Sequence, residues 1–240
     1  MSRRRLRSAS AVLRPVAGLA LIPTAAAMLL AAARAFGDLS AHTSATAWFL
    51  GGFGGYAAAY ALGVLRLKPL YVLAHELTHA MAVWMGGGKV FKLVVRAEKG
   101  HVDLSHMNAF IALAPYWIPL YALALVATYR LVLWAGPPPG AREAFLLLMG
   151  AALAFHLVHT ARSLWVAHQS DLDHAGIALS IALIALLNGA VLLAALKCLF
   201  PEAVSLASSL NWVAAVTAGF WRQTAGLLRR GGAAFSAAVG

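Results

Sequence analysis

Acidic residues and cysteine are the scarcest chemistry in this chain. Four aspartates, four glutamates and one cysteine, Cys198, occur among its 240 residues. A single thiol excludes an intrachain disulfide and any zinc site built on cysteine, so a metal here would have to be held by histidine, aspartate or glutamate. Charge of either sign is scarce as well, at 11% of residues against 62% hydrophobic, and the mean hydropathy of +0.78 lies outside the range of soluble globular domains.

The apolar residues are gathered into long runs. Stretches free of Asp, Glu, Lys and Arg cover 15–33, 39–65, 69–75, 77–88, 104–129, 144–161, 174–196 and 203–221. Most reach the roughly 18 to 20 residues that cross a hydrocarbon core of about 30 Å. The expectation is an all-α polytopic membrane protein with about six transmembrane helices, its surroundings the lipid bilayer. The net charge of +11 does not argue for nucleic acid. Arg3, Arg4, Arg5, Arg7 and Arg14 crowd the N-terminus without interleaved aromatics, the pattern of topogenic charge, and the positive-inside rule then places the N-terminus in the cytoplasm. "MSRRRLRS" could also open a signal peptide, but the apolar run behind it is long for one, so an uncleaved first helix is expected.

Three regions follow. Residues 1–68 read as two scaffold helices, about 16–36 and 46–65, where "GGFGGYAAAYALG" supplies small residues at four-residue spacing for close helix packing. Residues 69–200 form a core whose first helix opens at Pro69 and ends at "MGGG". In 89–104, "KVFKLVVRAEKGHVDL", alternating apolar and basic residues around a turn predict a short β-hairpin. Pro115 and Pro119 should kink or interrupt the next helix, about 105–133. "GPPPG" at 136–140 reads as a tight loop before helices at about 141–167 and 174–199. Residues 201–240 form an amphipathic tail with Trp212 and Trp221, then Arg222, Arg229 and Arg230. Since "ASSLN" interrupts its pattern, it is expected to lie on the bilayer rather than span it. Six crossings would put Lys89, Lys92, Arg96 and Lys99 outside, against the positive-inside rule, so either the third segment does not cross fully or the hairpin is re-entrant.

The third segment, "LYVLAHELTHAMAVWMGGG", places His75, Glu76 and His79 in a His-Glu-x-x-His pattern. On a helix, residues i and i+4 share a face, so both imidazoles can reach one Zn²⁺ while Glu76 stands beside its open position as a general base. With nine histidines and four glutamates in the chain, shuffling would produce the pattern about 0.006 times, which makes the match a specific one. Ionisable groups inside membrane helices are costly and mark function. A third ligand has four aspartate candidates: Asp38, Asp103, Asp171 and Asp173. The last two precede an apolar helix whose N-terminus favours a carboxylate. His156 and His159 could supply or orient a ligand, with packing or hydrogen bonding to a neighbouring helix as the alternative. Asn108 and Asn188 could line the cavity or join helices.

"HELTHAMAVWMGGGKV", "NAFIALAPYWIP" and "QSDLDHAG" together resemble the site-two-protease family of intramembrane zinc metalloproteases, over roughly 69–200, in a compact bacterial form without added soluble domains. The resemblance implies that His75 and His79 bind one Zn²⁺ per chain, that Glu76 is the catalytic base, and that an aspartate of "SDLDHAG" completes the ligands. Asp171 matches the position better than Asp173. It implies a bacterial inner-membrane location and a transmembrane protein as substrate. By its own strand pattern the 89–104 hairpin either offers an edge that could hold an extended peptide or is an ordinary solvated loop. Two departures stand out. Thr78 occupies a position often held by glycine, which a hydroxyl bonded to the i−4 carbonyl would accommodate, and the usual Asp-Gly pair is absent, Asp173 being followed by His174. A non-enzymatic membrane protein using the same cluster for metal binding, partner binding or transport is the alternative, although no inverted repeat is visible for a transporter.

Overall fold

The computed structural model describes residues 3–39, 44–97, 99–166 and 170–239. Eight α-helices and one hairpin follow one another: α1 (Arg3–Asp38), α2 (Ser44–Ala61), α3 (Lys68–Met85), β1 (Val90–Val95), β2 (Gly100–Leu104), α4 (Ala109–Leu113), α5 (Leu120–Ala135), α6 (Ala141–Val166), α7 (Ile177–Leu199) and α8 (Leu206–Val239). Short 3₁₀ turns extend α4 through 114–116 and precede α7 at 170–174.

Small residues let two helix pairs close up tightly. α2 lies on α6 and α1 on α7. A Cβ at Gly52 would overlap the Leu147 carbonyl, and one at Gly150 would overlap the Phe49 carbonyl and lie 2.8 Å from Phe53 N. In the other pair, a Cβ at Gly18 would meet Leu179 N at 2.5 Å and one at Gly189 would meet Met28 Cγ at 2.9 Å. Backbone contact at this range is what makes dispersion effective between helices that lipid does not drive together. Phe49, Leu39, Leu193 and Leu196 fill the main core between these pairs.

The outward faces are apolar. Leu19, Leu30, Leu123, Val126, Leu131, Ile177 and Ile181 are exposed, large apolar side chains that suit hydrocarbon better than water. α5 and α6 form an antiparallel pair in which Tyr129 stacks on Phe145 at 4.1 Å. Trp134 and Trp165, 88% and 91% exposed, stand at the C-terminal ends of these two helices. Antiparallel helices put those ends on opposite sides, the placement that amphipathic rings take at the two membrane interfaces.

Among the described residues, three helical segments, 13–38, 141–165 and 177–199, are long and apolar enough to cross a membrane, and a fourth exists if α4 and α5 are one span bent by 73°. The bend falls at Pro119, as its missing N–H dictates. α2 and α3 have only 18 residues each and are diluted by glycines in one and His, Glu and Thr in the other. The expected hairpin is present and antiparallel, with Lys92 opposite Asp103, Leu93 opposite Val102 and Val95 opposite Gly100, and a register shift between Val90 and Lys92.

One expectation is corrected. "ASSLN" does not interrupt the tail, because α8 runs unbroken through it. Ser205 Oγ accepts from Ser208 N at 3.3 Å and Ser209 N donates to Ser205 O at 3.0 Å. Ser205, just before the helix, is the capping residue, and Ser208 and Ser209 of "ASSLN" give it their backbone N–H groups from the first turn. His168 and the hairpin residue Glu98 lie outside the described residues.

Gly52 and Gly54 occupy the same helix with opposite surroundings, since a Cβ at Gly54 meets nothing within 4 Å. Gly52→Ala should destabilise the detergent-solubilised protein by about 1–3 kcal/mol through overpacking, whereas Gly54→Ala should be neutral or stabilise by about 0.4–1 kcal/mol. Thermal melts of the two variants beside the parent check this.

Candidate metal centre

α3 carries the centre on one face. Its two histidines are four residues apart, and helical geometry sets them one above the other, with ring centroids 4.9 Å apart. Leu67, held at a left-handed φ of 42°, and Pro69 start the helix. Thr78 Oγ1 donates to the Ala74 carbonyl at 2.7 Å, so its hydroxyl is satisfied inside the helix and leaves the metal face to the imidazoles.

The carboxylate arrives from the 3₁₀ turn before α7. Asp171 Oδ2 lies 3.3 Å from His75 Nε2 and 3.5 Å from His79 Nε2. The turn is anchored by buried Leu172, whose carbonyl accepts from Ser180 Oγ at 2.9 Å. Asp173 points away and is exposed. Of the remaining aspartates, Asp103 pairs with His101 at 2.9 Å on the hairpin, and Asp38 ends α1, far along the chain from α3. The structure therefore brings His75, His79 and Asp171 together and leaves Asp38, Asp103 and Asp173 elsewhere.

These three groups fit a metal ion. Their ligand atoms all lie within 4.8 Å of one another. Bonds of about 2.0–2.1 Å in a tetrahedron separate neighbouring ligand atoms by about 3.3–3.4 Å, close to the two separations observed. Orientation agrees with distance. His79 Nδ1 is 2.8 Å from the Ile111 carbonyl and can only donate to it, which places that proton on Nδ1 and turns the Nε2 lone pair toward Asp171. A lone pair facing a carboxylate oxygen at 3.5 Å is repulsive unless something positive, a proton on Nε2 or a shared cation, lies between them, and a cation is a group that all three atoms can share. His75 Nδ1 is buried with no hydrogen-bond partner among the described residues, and its ring is held by aromatic neighbours instead, Tyr71 at 5.8 Å and Tyr116 at 5.2 Å.

Glu76 is buried on the same helix and faces the hairpin. A Cβ at Gly100 would overlap the Glu76 side chain and stand 2.8 Å from its Oε1. Only glycine lets strand β2 lie this close to the carboxylate.

The other polar residues have structural partners. His156 Nε2 donates to Asn188 Oδ1 at 3.1 Å, and Tyr56 Oη lies 3.0 Å from His159 Nε2, so both histidines join helices and neither belongs to the metal cluster. Asn188 is likewise a helix-joining residue. Asn108 Oδ1 accepts from Ile111 N at 2.9 Å and caps α4. The sequence reading missed Tyr116, whose hydroxyl donates to Asp171 Oδ2 at 2.9 Å. Its only signal was a hydroxyl-bearing ring between two prolines in an apolar segment.

Metal content separates the two neighbouring aspartates. Elemental analysis of the purified protein should find about one transition-metal ion per chain, retained in Asp173→Ala and lost in His79→Ala and Asp171→Ala. Retention in Asp171→Ala would remove that residue from the site.

Comparison of the chain with protein-family models, with curated proteins and with solved structures gives no match.

Proposed function

We propose that this chain is an intramembrane zinc metalloendopeptidase that hydrolyses peptide bonds in or beside the transmembrane segments of other membrane proteins. One observation carries the reading: His75, His79 and Asp171 meet within 4.8 Å on a helix that also holds a buried Glu76. We assign zinc, one ion per chain, because two imidazoles and one carboxylate, with the carboxylate oxygen 3.3 and 3.5 Å from the imidazole nitrogens, match the ligand set of catalytic zinc sites with an open fourth position. Bound there, zinc supplies Lewis acidity toward a carbonyl oxygen and acidifies water.

The chain's own groups do the remaining work. Glu76 follows His75 directly and so points about 100° round the helix from it. Its carboxylate takes a proton from the attacking water and returns it to the leaving amine nitrogen, so that water is added across the peptide bond and the glutamate ends as it began. The backbone of β2 at Gly100 lies against this carboxylate and shields it from bulk solvent. A transmembrane substrate has to unwind before its carbonyls are accessible, and the hairpin presents strand edges on which an extended segment can pair.

The same reading orders the chain in the bilayer. With α4 and α5 as one bent span, α1, α2, α3, α6 and α7 supply the other crossings, six in all, with the N-terminus cytoplasmic. An 18-residue helix is about 27 Å long, so α2 and α3 are short for a core of about 30 Å. Both are packed against protein, which supports crossing as inner members of the bundle. This matches the site-two-protease likeness of "HELTH" and "QSDLDHAG", in a bacterial inner membrane.

Glu76→Gln is the decisive variant. It should keep its zinc and lose cleavage by about 10²-fold or more, read as the disappearance of new N-termini that the parent chain generates in co-expressed membrane proteins. Cleavage that survives in Glu76→Gln would overturn the assignment of the base, and a parent chain that generates no new termini would overturn the protease reading.

A further inference from the structure

Asp171 is the ligand with the least support from its own element. The histidines stand on a regular helix, whereas Asp171 occupies a five-residue 3₁₀ turn, half-buried between α6 and α7. A carboxylate so placed has two rotatable bonds and two equivalent oxygens, and something must choose among its orientations.

We propose that the Tyr116 hydroxyl is the positioning group that makes this choice; the proposal rests on the metal-centre reading above. Tyr116 is fully buried. Its Oη donates to Asp171 Oδ2 at 2.9 Å, the same oxygen that faces His75 Nε2 and His79 Nε2. One lone pair of Oδ2 is engaged by the tyrosine and the other remains for the space between the imidazoles. The carboxylate is thereby presented through one chosen oxygen. A neutral hydroxyl suits the task better than a lysine or arginine would, since it orients the anion without cancelling the charge that attracts a cation.

The tyrosine is itself held, and the reason lies in the sequence. Pro119 ends the helical hydrogen-bond ladder, and Leu120 N turns to the Ile118 carbonyl at 2.9 Å, so the Tyr116 carbonyl loses the donor that a continuous helix would give it. Asn188 Nδ2 replaces that donor at 2.7 Å, and His156 Nε2 donates to Asn188 Oδ1 at 3.1 Å. Thus α6 and α7 hold Asn188, Asn188 holds the broken turn, and the turn aims the hydroxyl at Asp171. The ring edge also packs on His75, with centroids 5.2 Å apart and planes at 86°, so one residue touches both a histidine and the carboxylate. Tyr116 touches no solvent and acts through Asp171, which makes it a positioning residue and not a catalytic one.

The test is zinc affinity, measured by competition with a chromophoric chelator on the full-length detergent-solubilised protein. Tyr116→Phe keeps the ring and removes only the donor. It should bind one zinc with affinity weaker by about 10- to 100-fold, and its cobalt-substituted form should show an altered visible spectrum because the carboxylate is no longer fixed. In an Asp171→Ala background the same Tyr116→Phe change should have no further effect on the residual affinity. Equal affinity in parent and Tyr116→Phe would overturn the proposal and leave the metal centre standing. An equal loss in both backgrounds, or failure of Tyr116→Phe to fold, would also overturn it by showing a general structural role. A parent chain that binds no zinc at all would bring down the metal-centre reading itself, an outcome distinct from the others.

Discussion

Two imidazole nitrogens and a carboxylate oxygen face one another inside an apolar bundle, and most of the architecture around them follows from the need to hold that arrangement. Each group is expensive to bring out of water alone. Together, with ligand atoms converging, they are tolerable around a shared positive charge. The surrounding contacts serve this demand. The Ile111 carbonyl fixes the proton of His79, Tyr116 fixes the oxygen of Asp171, and the Thr78 hydroxyl is turned back into its own helix.

The scaffold helices contribute rigidity at a distance. α1 on α7 and α2 on α6 approach closely enough that a single methyl group at Gly52 or Gly150 has no place. α6 and α7, each gripped by one of these partners, are also the helices that supply His156 and Asn188. The glycine contacts and the metal centre are therefore parts of one mechanical chain, in which tight backbone packing holds the helices that hold the turn that holds the ligand. The break at Pro119 is part of the same chain, because a continuous helix would satisfy the Tyr116 carbonyl internally and leave Asn188 nothing to grip.

Much of this was legible beforehand. The long apolar runs, the hairpin after the third helix and the His-Glu-x-x-His stripe are local patterns, set by spacings of 3.6 and 2 residues that need no knowledge of the fold. The bend near Pro119 was equally local. The tail differs from its sequence pattern because "ASSLN" follows directly on a capping serine, Ser205, whose oxygens take the backbone N–H groups of Ser208 and Ser209 and start the helix there. The capping role of Asn108 likewise depends on where α4 begins.

What the sequence by itself determined is the membrane-like composition, the helix-forming segments and the pair of histidines with their glutamate, because each depends on residues that are neighbours along the chain. What only the tertiary structure decided is which carboxylate joins them and what orients it. Asp171 and Asp173 are two residues apart and nearly indistinguishable in a sequence, but a 3₁₀ turn sends one to the histidines and the other to the surface. Tyr116 reaches Asp171 across 55 positions, and Asn188 reaches Tyr116 across 72. Contacts of that span are fixed by how the helices pack, and no local spacing encodes them.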